Sequence, residues 1–87
     1  MQIIFSDEFR KDFNKIKDKL TRIKIINHLK KLDQLPKSGK PLQYDLKGHR
    51  SIRIPPFRII YRIESTRISI LTIRHGKQLL PTNEIEA

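Results

Sequence analysis

The chain has no cysteine among its 87 residues. Disulfide bonds, zinc–thiolate sites and thiol nucleophiles are therefore excluded, and the composition is compatible with a reducing compartment. No uninterrupted apolar stretch approaches the roughly 20 residues that a membrane-spanning helix needs, and residues 1–6 lack a basic region followed by a long apolar one. We therefore expect a cytoplasmic protein that is neither secreted nor inserted into a membrane.

Signatures of bound nucleotides and metals are also missing. The chain contains no P-loop, no GxGxxG and no HExxH, and its three histidines, His28, His49 and His75, are scattered along the sequence. We therefore expect neither a metal nor a cofactor. His28 falls within a predicted helix and is expected to be an ordinary surface residue rather than a ligand.

Acidic residues are scarce. Nine Asp and Glu residues face 19 Lys and Arg residues, which gives a formal net charge of +10. Such a surplus attracts polyanions at low salt, so the partner should be acidic. Nucleic acid, an anionic membrane surface and an acidic protein all qualify, and only the placement of the charges can decide among them.

The first half of the chain predicts one strand followed by two helices. Residues 2–5 form a β-branched and aromatic run, and Ser6 is a good N-cap for a helix. A second helix should begin near Thr21, which can cap it, and end before Pro36. The apolar faces of the two helices are expected to contain Phe9, Phe13, Ile16 and Leu20 in the first, and Ile25, Ile26, Leu29 and Leu32 in the second.

The second half predicts three strands. After a connector rich in Pro, Gly and Lys at residues 35–42, the apolar period changes to two. The first of these strands should end at residue 54, the second should span residues 57–63 and the third should span residues 67–74. The turns between them imply an antiparallel meander. We therefore predict one α+β domain over residues 1–87, with the order β-α-α-β-β-β. A twisted antiparallel sheet should pack both helices, as a hairpin, on one face and leave the other face for function.

Arginines recur on that predicted free face. Arg58 and Arg62 share a parity and should start about 13 Å apart on one strand, since a strand rises about 3.3 Å per residue. Their planar guanidinium forks suit phosphate, although both could instead pair with Asp45, Glu64 or the C-terminal glutamates, and this alternative is stronger for Arg62 than for Arg58. Arg53 alternates with the apolar residues Ile52 and Ile54, so its side chain should point to the opposite face of the strand from theirs. The turn that precedes it concentrates further positive charge, from Lys47, His49 and Arg50.

His75 is the strongest candidate for proton transfer. It follows the last strand beside Arg74 and Lys77, where an imidazole could exchange protons while its neighbours hold a phosphate. A histidine that caps the strand through a backbone hydrogen bond is an equally good interpretation. Such a cluster could cleave RNA without metal, by activating the ribose 2′-hydroxyl, stabilising the phosphorane with arginine and protonating the leaving oxygen.

Several motifs, in this order, make the chain resemble the RelE/ParE superfamily of type II toxins over about nine tenths of its length. The motifs are Phe5-Ser6, Phe9-Arg10-Lys11-Asp12-Phe13, Pro36-x-x-Gly39-x-Pro41-Leu42, Leu46-x-Gly48, Arg53-Ile54 and Phe57-Arg58-Ile59-Ile60-Tyr61-Arg62-Ile63. The resemblance implies a small RelE-like fold and a toxin that is neutralised by a cognate antitoxin. RelE-like members cut messenger RNA on the ribosome, whereas ParE-like members poison DNA gyrase.

The resemblance also suggests roles for individual residues. Arg53 and Arg58 match positions at which RelE-like toxins hold basic residues that bind RNA and stabilise the transition state. The family often ends its last strand with an arginine and a tyrosine, and here those positions hold Gly76 and Leu80. We expect the catalytic residues to be Arg58, Arg53, His75 and Lys77, and the RNA-binding residues to be Lys47, Arg50, Arg62 and Arg74.

A ribosome-dependent endoribonuclease acting on mRNA is therefore the leading hypothesis for the function. A gyrase inhibitor, a non-catalytic RNA- or ribosome-binding module and an inactive toxin relic remain open as alternatives, because the family's terminal arginine and tyrosine are absent.

Overall fold

A computed structural model describes residues 1–76 of the chain. It confirms the α+β class and the predicted order of the main elements, and it adds one short strand in the connector. The elements are β1 (Gln2–Phe5), α1 (Asp7–Asn14), α2 (Lys19–Gln34), a 3-10 turn (Pro36–Ser38), β2 (Lys40–Pro41), a second 3-10 turn (Tyr44–Leu46), β3 (His49–Ile54), β4 (Phe57–Glu64) and β5 (Arg67–His75).

The five strands form one sheet in the order β1-β5-β4-β3-β2. Strands β2 to β5 pair antiparallel with their neighbours, so the predicted meander is confirmed. Strand β1 instead pairs parallel with β5, which makes the sheet mixed rather than wholly antiparallel. Parallel pairing needs a long crossover connection, and the chain between β1 and β5 provides one.

Ser6 joins three elements at the start of α1. Its Oγ accepts a hydrogen bond from the Phe9 N–H at 3.0 Å, as an N-cap should, and donates one to the Leu71 carbonyl at 2.6 Å. Leu71 is the extra residue of a β-bulge, because Ile60 pairs with Thr72 whereas the next residue, Tyr61, pairs with Ile70. The same hydroxyl therefore starts the helix and satisfies the carbonyl of the bulge.

The link between the helices differs from the prediction. Helix α1 ends at Asn14, and α2 begins directly after Asp18, whose carboxylate accepts from the Thr21 N–H at 3.0 Å. Asp18 rather than Thr21 is therefore the cap. Because the helix stops before Ile16, that side chain is buried from the link, whereas Leu20 falls out of phase and is 69% exposed.

The core lies between the helices and one face of the sheet. Tyr61 is fully buried there, donates to the Pro36 carbonyl at 2.6 Å and accepts from the Gly39 N–H at 2.9 Å. A Cβ on Gly39 would lie 2.6 Å from the Tyr61 hydroxyl oxygen, so only glycine fits at this close approach. The main buried side chains are Phe9, Ile16, Ile25, Leu29, Leu32, Ile52, Ile54, Ile59, Tyr61, Ile68, Ile70 and Ile73.

Candidate nucleic-acid interface

Three arginines form a row across the sheet. Arg53 on β3 pairs in register with Arg58 on β4, and Arg58 pairs with Arg74 on β5. Residues directly opposite one another share a face, and neighbouring strands lie about 4.8 Å apart, so the row spans about 10 Å between its outer Cα atoms. The adjacent row, Ile52, Ile59 and Ile73, belongs to the core. The arginine row therefore lies on the face opposite the helices.

The row concentrates positive charge on a rigid surface. Arg53 and Arg74 are exposed, and Arg58 between them is half-buried. Like charges placed directly opposite one another in a sheet are destabilising, which an anion bound between them would offset. Guanidinium groups present planar pairs of donors to phosphate, so the row has the chemistry of a phosphate clamp.

His75 lies at the end of the sheet beside this row. It pairs in register with Phe57, and the two rings meet edge to face with centroids 5.7 Å apart. A cleft of about 340 Å³ is lined by His75, Phe57, Arg53, Pro55, Pro56 and Gly76. None of these described residues is acidic. Both His75 and Arg53 therefore line the cleft at the end of the sheet, although strand parity directs His75, like Ile73, to the helix side and Arg53 to the opposite face.

A second cleft, of about 580 Å³, lies on the other side of His75. It opens under the link between the helices, where Lys15 and Lys17 contribute charge and Asp18 contributes its capping carboxylate. The hydrogen bonds from the Thr21 hydroxyl and N–H lower the pKa of Asp18. That carboxylate is therefore ionised at neutral pH and committed to the helix cap.

Arg62 stands on the same face as the row, but apart from it. It pairs in register with His49, and the buried residues Ser51, Ile60 and Thr72 lie between this position and the row. Its near neighbour Glu64 has a lowered pKa, chiefly because the Ser69 hydroxyl donates to its carboxylate, with smaller contributions from the charges of Arg67 and Arg62. Arg62 is therefore close enough to Glu64 to contribute to this shift, whereas the direct ion pair of Glu64 is with Arg67, at 3.3 Å.

Arg50 points to the other side of the sheet. It is in phase with Ile52 and Ile54, and its Nη1 donates to the Gly39 carbonyl at 2.8 Å and to the Lys37 carbonyl at 3.2 Å. The guanidinium therefore ties the connector to the sheet on the helix side. Lys47 is exposed in the turn before β3, and Lys77 lies outside the described residues.

The sequence alone did not identify Arg74 as the third member of the row. Strand parity along β4 relates Arg58 to Arg62, but the partners across β4 and β5 depend on the bulge at Leu71. The row becomes visible only once the register is known.

Residues 1–76 were also searched for metal-binding groups and for membrane-spanning helices. No group of three or more His, Asp or Glu side chains within this range is arranged to hold a metal ion. Neither helix in the range is long and apolar enough to cross a membrane.

The fold and the basic face are those of a small toxin of the type II class. The family model described as the ParE toxin of the type II toxin-antitoxin system parDE matches residues 3–80. The chain therefore belongs to the ParE toxin family, within the RelE/ParE superfamily of type II toxins. Among curated proteins, none matches the sequence at a significant level.

Solved structures of this superfamily are similar to the chain. The toxin-antitoxin complex RelBE2 from Mycobacterium tuberculosis contains a chain that is 28% identical, with a TM-score of 0.73 and coverage of 85% of this chain and 95% of that one. A YoeB dimer from Staphylococcus aureus is 28% identical, with a TM-score of 0.71 and coverage of 86% and 95%. The chromosomal ParDE system from P. aeruginosa is 22% identical over 86% and 95% of the two chains, and its TM-score of 0.67 supports the fold alone.

Proposed function

We propose that this toxin is a ribosome-dependent, metal-independent endoribonuclease that cleaves mRNA at the arginine row. The observation that carries the proposal is the alignment of Arg53, Arg58 and Arg74 on three adjacent strands, with His75 at the same end of the sheet. Preorganised cations on a rigid sheet stabilise the charge that develops on a phosphorane. Similarity to the RelE- and YoeB-type structures supports the same activity.

The bonds that form and break in the proposed reaction all belong to the RNA, and the protein supplies the groups that assist them. The ribose 2′-hydroxyl loses its proton as its oxygen attacks the adjacent phosphorus, the bond from phosphorus to the 5′-oxygen breaks, and that oxygen takes up a proton. A 2′,3′-cyclic phosphate and a 5′-hydroxyl result. Arg58, in the middle of the row, stabilises the pentacoordinate phosphorane, Arg53 and Arg74 hold the flanking oxygens, and His75 exchanges a proton at the reacting end.

Arg58→Ala tests the proposal in a purified translation system, with primer extension on a defined messenger as the readout. We expect cleavage to fall about 10²–10³-fold, as removal of one transition-state donor does. Arg62→Ala is the matched control, because it removes the same charge from the same face of the same strand. It should change cleavage only a few-fold. Equal losses in the two variants would contradict a specific role for the row.

A second candidate function is inhibition of DNA gyrase. It is favoured by the match of residues 3–80 to the ParE family and by Gly76 and Leu80 at the positions of the family's usual arginine and tyrosine. A gyrase supercoiling assay run beside the primer extension separates the two. Inhibited supercoiling without ribosome-dependent cuts would move the protein to the gyrase inhibitors. Ribosome binding without either activity would indicate that the protein is a non-catalytic binding module.

A cognate antitoxin is the expected protein partner. The RelBE2 structure is a complex of toxin and antitoxin, and we propose the same kind of pairing for this chain. An acidic segment of the antitoxin that folds over the arginine row would neutralise its charge and exclude RNA. Purified antitoxin should therefore abolish cleavage, and Arg53→Ala together with Arg74→Ala should weaken the complex.

A further inference from the structure

A basic groove runs along the edge of β3 on the side of α2. It encloses about 360 Å³, and the residues that give it its character are His28, Lys31, Ser38, Lys40 and Arg53, the last of which contributes the edge of β3. Three of these are permanently cationic at neutral pH, and one is an imidazole. None of the described residues that line the groove is acidic. We call this feature the edge groove.

The groove exists because β2 is short. Strand β2 has only two residues, which pair with Arg50 and Ser51, so residues 52–54 of β3 lie beyond its end. The Leu42 N–H donates to the His49 carbonyl at 2.9 Å, which shows that the peptide groups of His49 point towards β2. Peptide groups two residues apart in a strand point to the same side. The N–H of Arg53 is therefore directed at the open edge, where it can donate to an anion.

His28 presents one ring nitrogen to a ligand. Its Nδ1 lies 2.8 Å from the Lys24 carbonyl oxygen. A carbonyl only accepts, so Nδ1 is the donor and Nε2 is left for another partner. Nε2 can accept from a ribose hydroxyl or, once the imidazole is protonated, donate to a phosphate.

We propose that the edge groove binds the sugar-phosphate backbone of the same RNA strand that lies on the arginine row, one or more nucleotides from the cleaved phosphate. The proposal rests on the proposed RNase function. Arg53 belongs to both features, since it ends the row and lines the groove. A single strand that leaves the row at Arg53 and passes over the edge of β3 therefore meets the lysines of the groove on the helix side. Lysine and histidine side chains with a hydroxyl neighbour match a phosphodiester.

The test is the double variant Lys31→Ala with Lys40→Ala in the full chain. Both side chains are exposed, so the fold should tolerate the change, and thermal unfolding checks this. The probe is a fluorescein-labelled single-stranded RNA of about ten nucleotides, 2′-O-methylated so that it is not cleaved, and the readout is fluorescence anisotropy over a series of KCl concentrations. We expect affinity to fall about three- to tenfold, and the slope of log K against log salt to fall by about 1.4, or 0.7 for each lost phosphate contact.

The control variant is Lys11→Ala with Lys19→Ala. It removes the same charge from exposed positions of α1 and α2 that do not line the groove. Its RNA affinity should change less than twofold. Equal losses in the two double variants would mean general electrostatic attraction and would overturn the proposal.

The affinity of the same double variant for the antitoxin distinguishes an RNA-binding groove from a protein-binding one. If Lys31→Ala with Lys40→Ala weakened the antitoxin complex and left the RNA affinity unchanged, the groove would be a protein-binding surface and the proposal would be wrong. Because the RNA probe is not cleaved, this test is independent of catalysis. Failure of the proposed function would show separately in primer extension, as absence of ribosome-dependent cuts by the wild type or as unchanged cleavage in Arg58→Ala.

Discussion

At the scale of single residues, β3 shows how the face of a strand decides what an arginine does. Arg50 and Arg53 are three positions apart and therefore point to opposite faces. Arg50 donates to two carbonyls of the connector on the helix side, whereas Arg53 is exposed in the row. The sequence suggested RNA contacts for both. The structure shows local hydrogen bonds for Arg50, and its contact with RNA stays a prediction.

The two arginines should therefore respond differently to alanine. Arg50→Ala should lower the free energy of unfolding by about 1–2 kcal/mol, because it removes charge-assisted hydrogen bonds to the Gly39 and Lys37 carbonyls. Arg53→Ala should leave stability within about 0.5 kcal/mol of wild type but reduce cleavage at least tenfold. Urea denaturation and primer extension measure the two effects. The reverse pattern would contradict the assignment of faces.

Tyr61 should make stability depend on alkaline pH. Burial raises its pKa, since the ionised phenol is poorly solvated in the core. A raised folded pKa means that the contribution is complete below the unfolded value of about 10 and is lost as pH rises through the folded pKa. Wild type should therefore lose stability above about pH 10 more steeply than Tyr61→Phe.

Tyr61→Phe should also cost about 1–3 kcal/mol at neutral pH, because the Pro36 carbonyl and the Gly39 N–H lose their buried partner. Tyr44→Phe is the matched control, since Tyr44 is 67% exposed. It should change neither the stability nor its pH dependence. Denaturant titrations across the alkaline range would test both statements. Identical curves for the two variants would contradict the role of the buried hydroxyl.

At the scale of elements, local patterns predicted the strands better than the helix ends. The period of two along β3 and β4 located both strands and assigned Arg58 to the correct face, because one buried face strongly constrains a strand. The cap of α2 was misplaced by three residues, because Asp18 and Thr21 are both good N-caps and their residue types alone do not select between them. The short strand β2 and the parallel pairing of β1 depend on contacts between distant residues, which local patterns do not contain.

Ser6 should be the most sensitive polar position of the β1–α1 junction. Ser6→Ala removes both the N-cap of α1 and the hydrogen bond to the Leu71 carbonyl, so the free energy of unfolding should fall by about 1–2 kcal/mol. Hydrogen exchange of the amides around the bulge should accelerate at the same time. Thr66→Ala, in the exposed turn between β4 and β5, is the control and should have little effect. If the amides around the bulge exchanged no faster in Ser6→Ala than in the wild type, the Ser6 hydroxyl would not stabilise the bulge.

At the scale of the whole molecule, charge and architecture act together. The formal net charge of +10 brings any polyanion to the protein, but only the sheet turns part of that charge into a row with a fixed spacing. The net charge could be read from composition. The row could not, because it requires the register of three strands and the bulge that shifts it.

The row should also make the stability of the whole domain depend on anions. Three arginines in adjacent positions repel one another in the folded chain more than in the unfolded one, and an anion that binds only the folded form stabilises it by mass action. At ten times its dissociation constant, sulfate would add about 1.4 kcal/mol. For a domain of this size, that shifts Tm upward by roughly 5–10 °C.

Sulfate also strengthens burial in proteins generally, so a variant without the row must be compared. The variant is Arg53→Ala with Arg74→Ala, measured by thermal unfolding in sulfate and in chloride at equal ionic strength. The difference in Tm between the two salts should be large in wild type and small in this variant, whereas Lys11→Ala with Lys19→Ala, with the same loss of charge, should behave as wild type. If all three proteins gained equally from sulfate, the effect would come from the solvent and the net charge. The row would then not act as an anion clamp in the free protein.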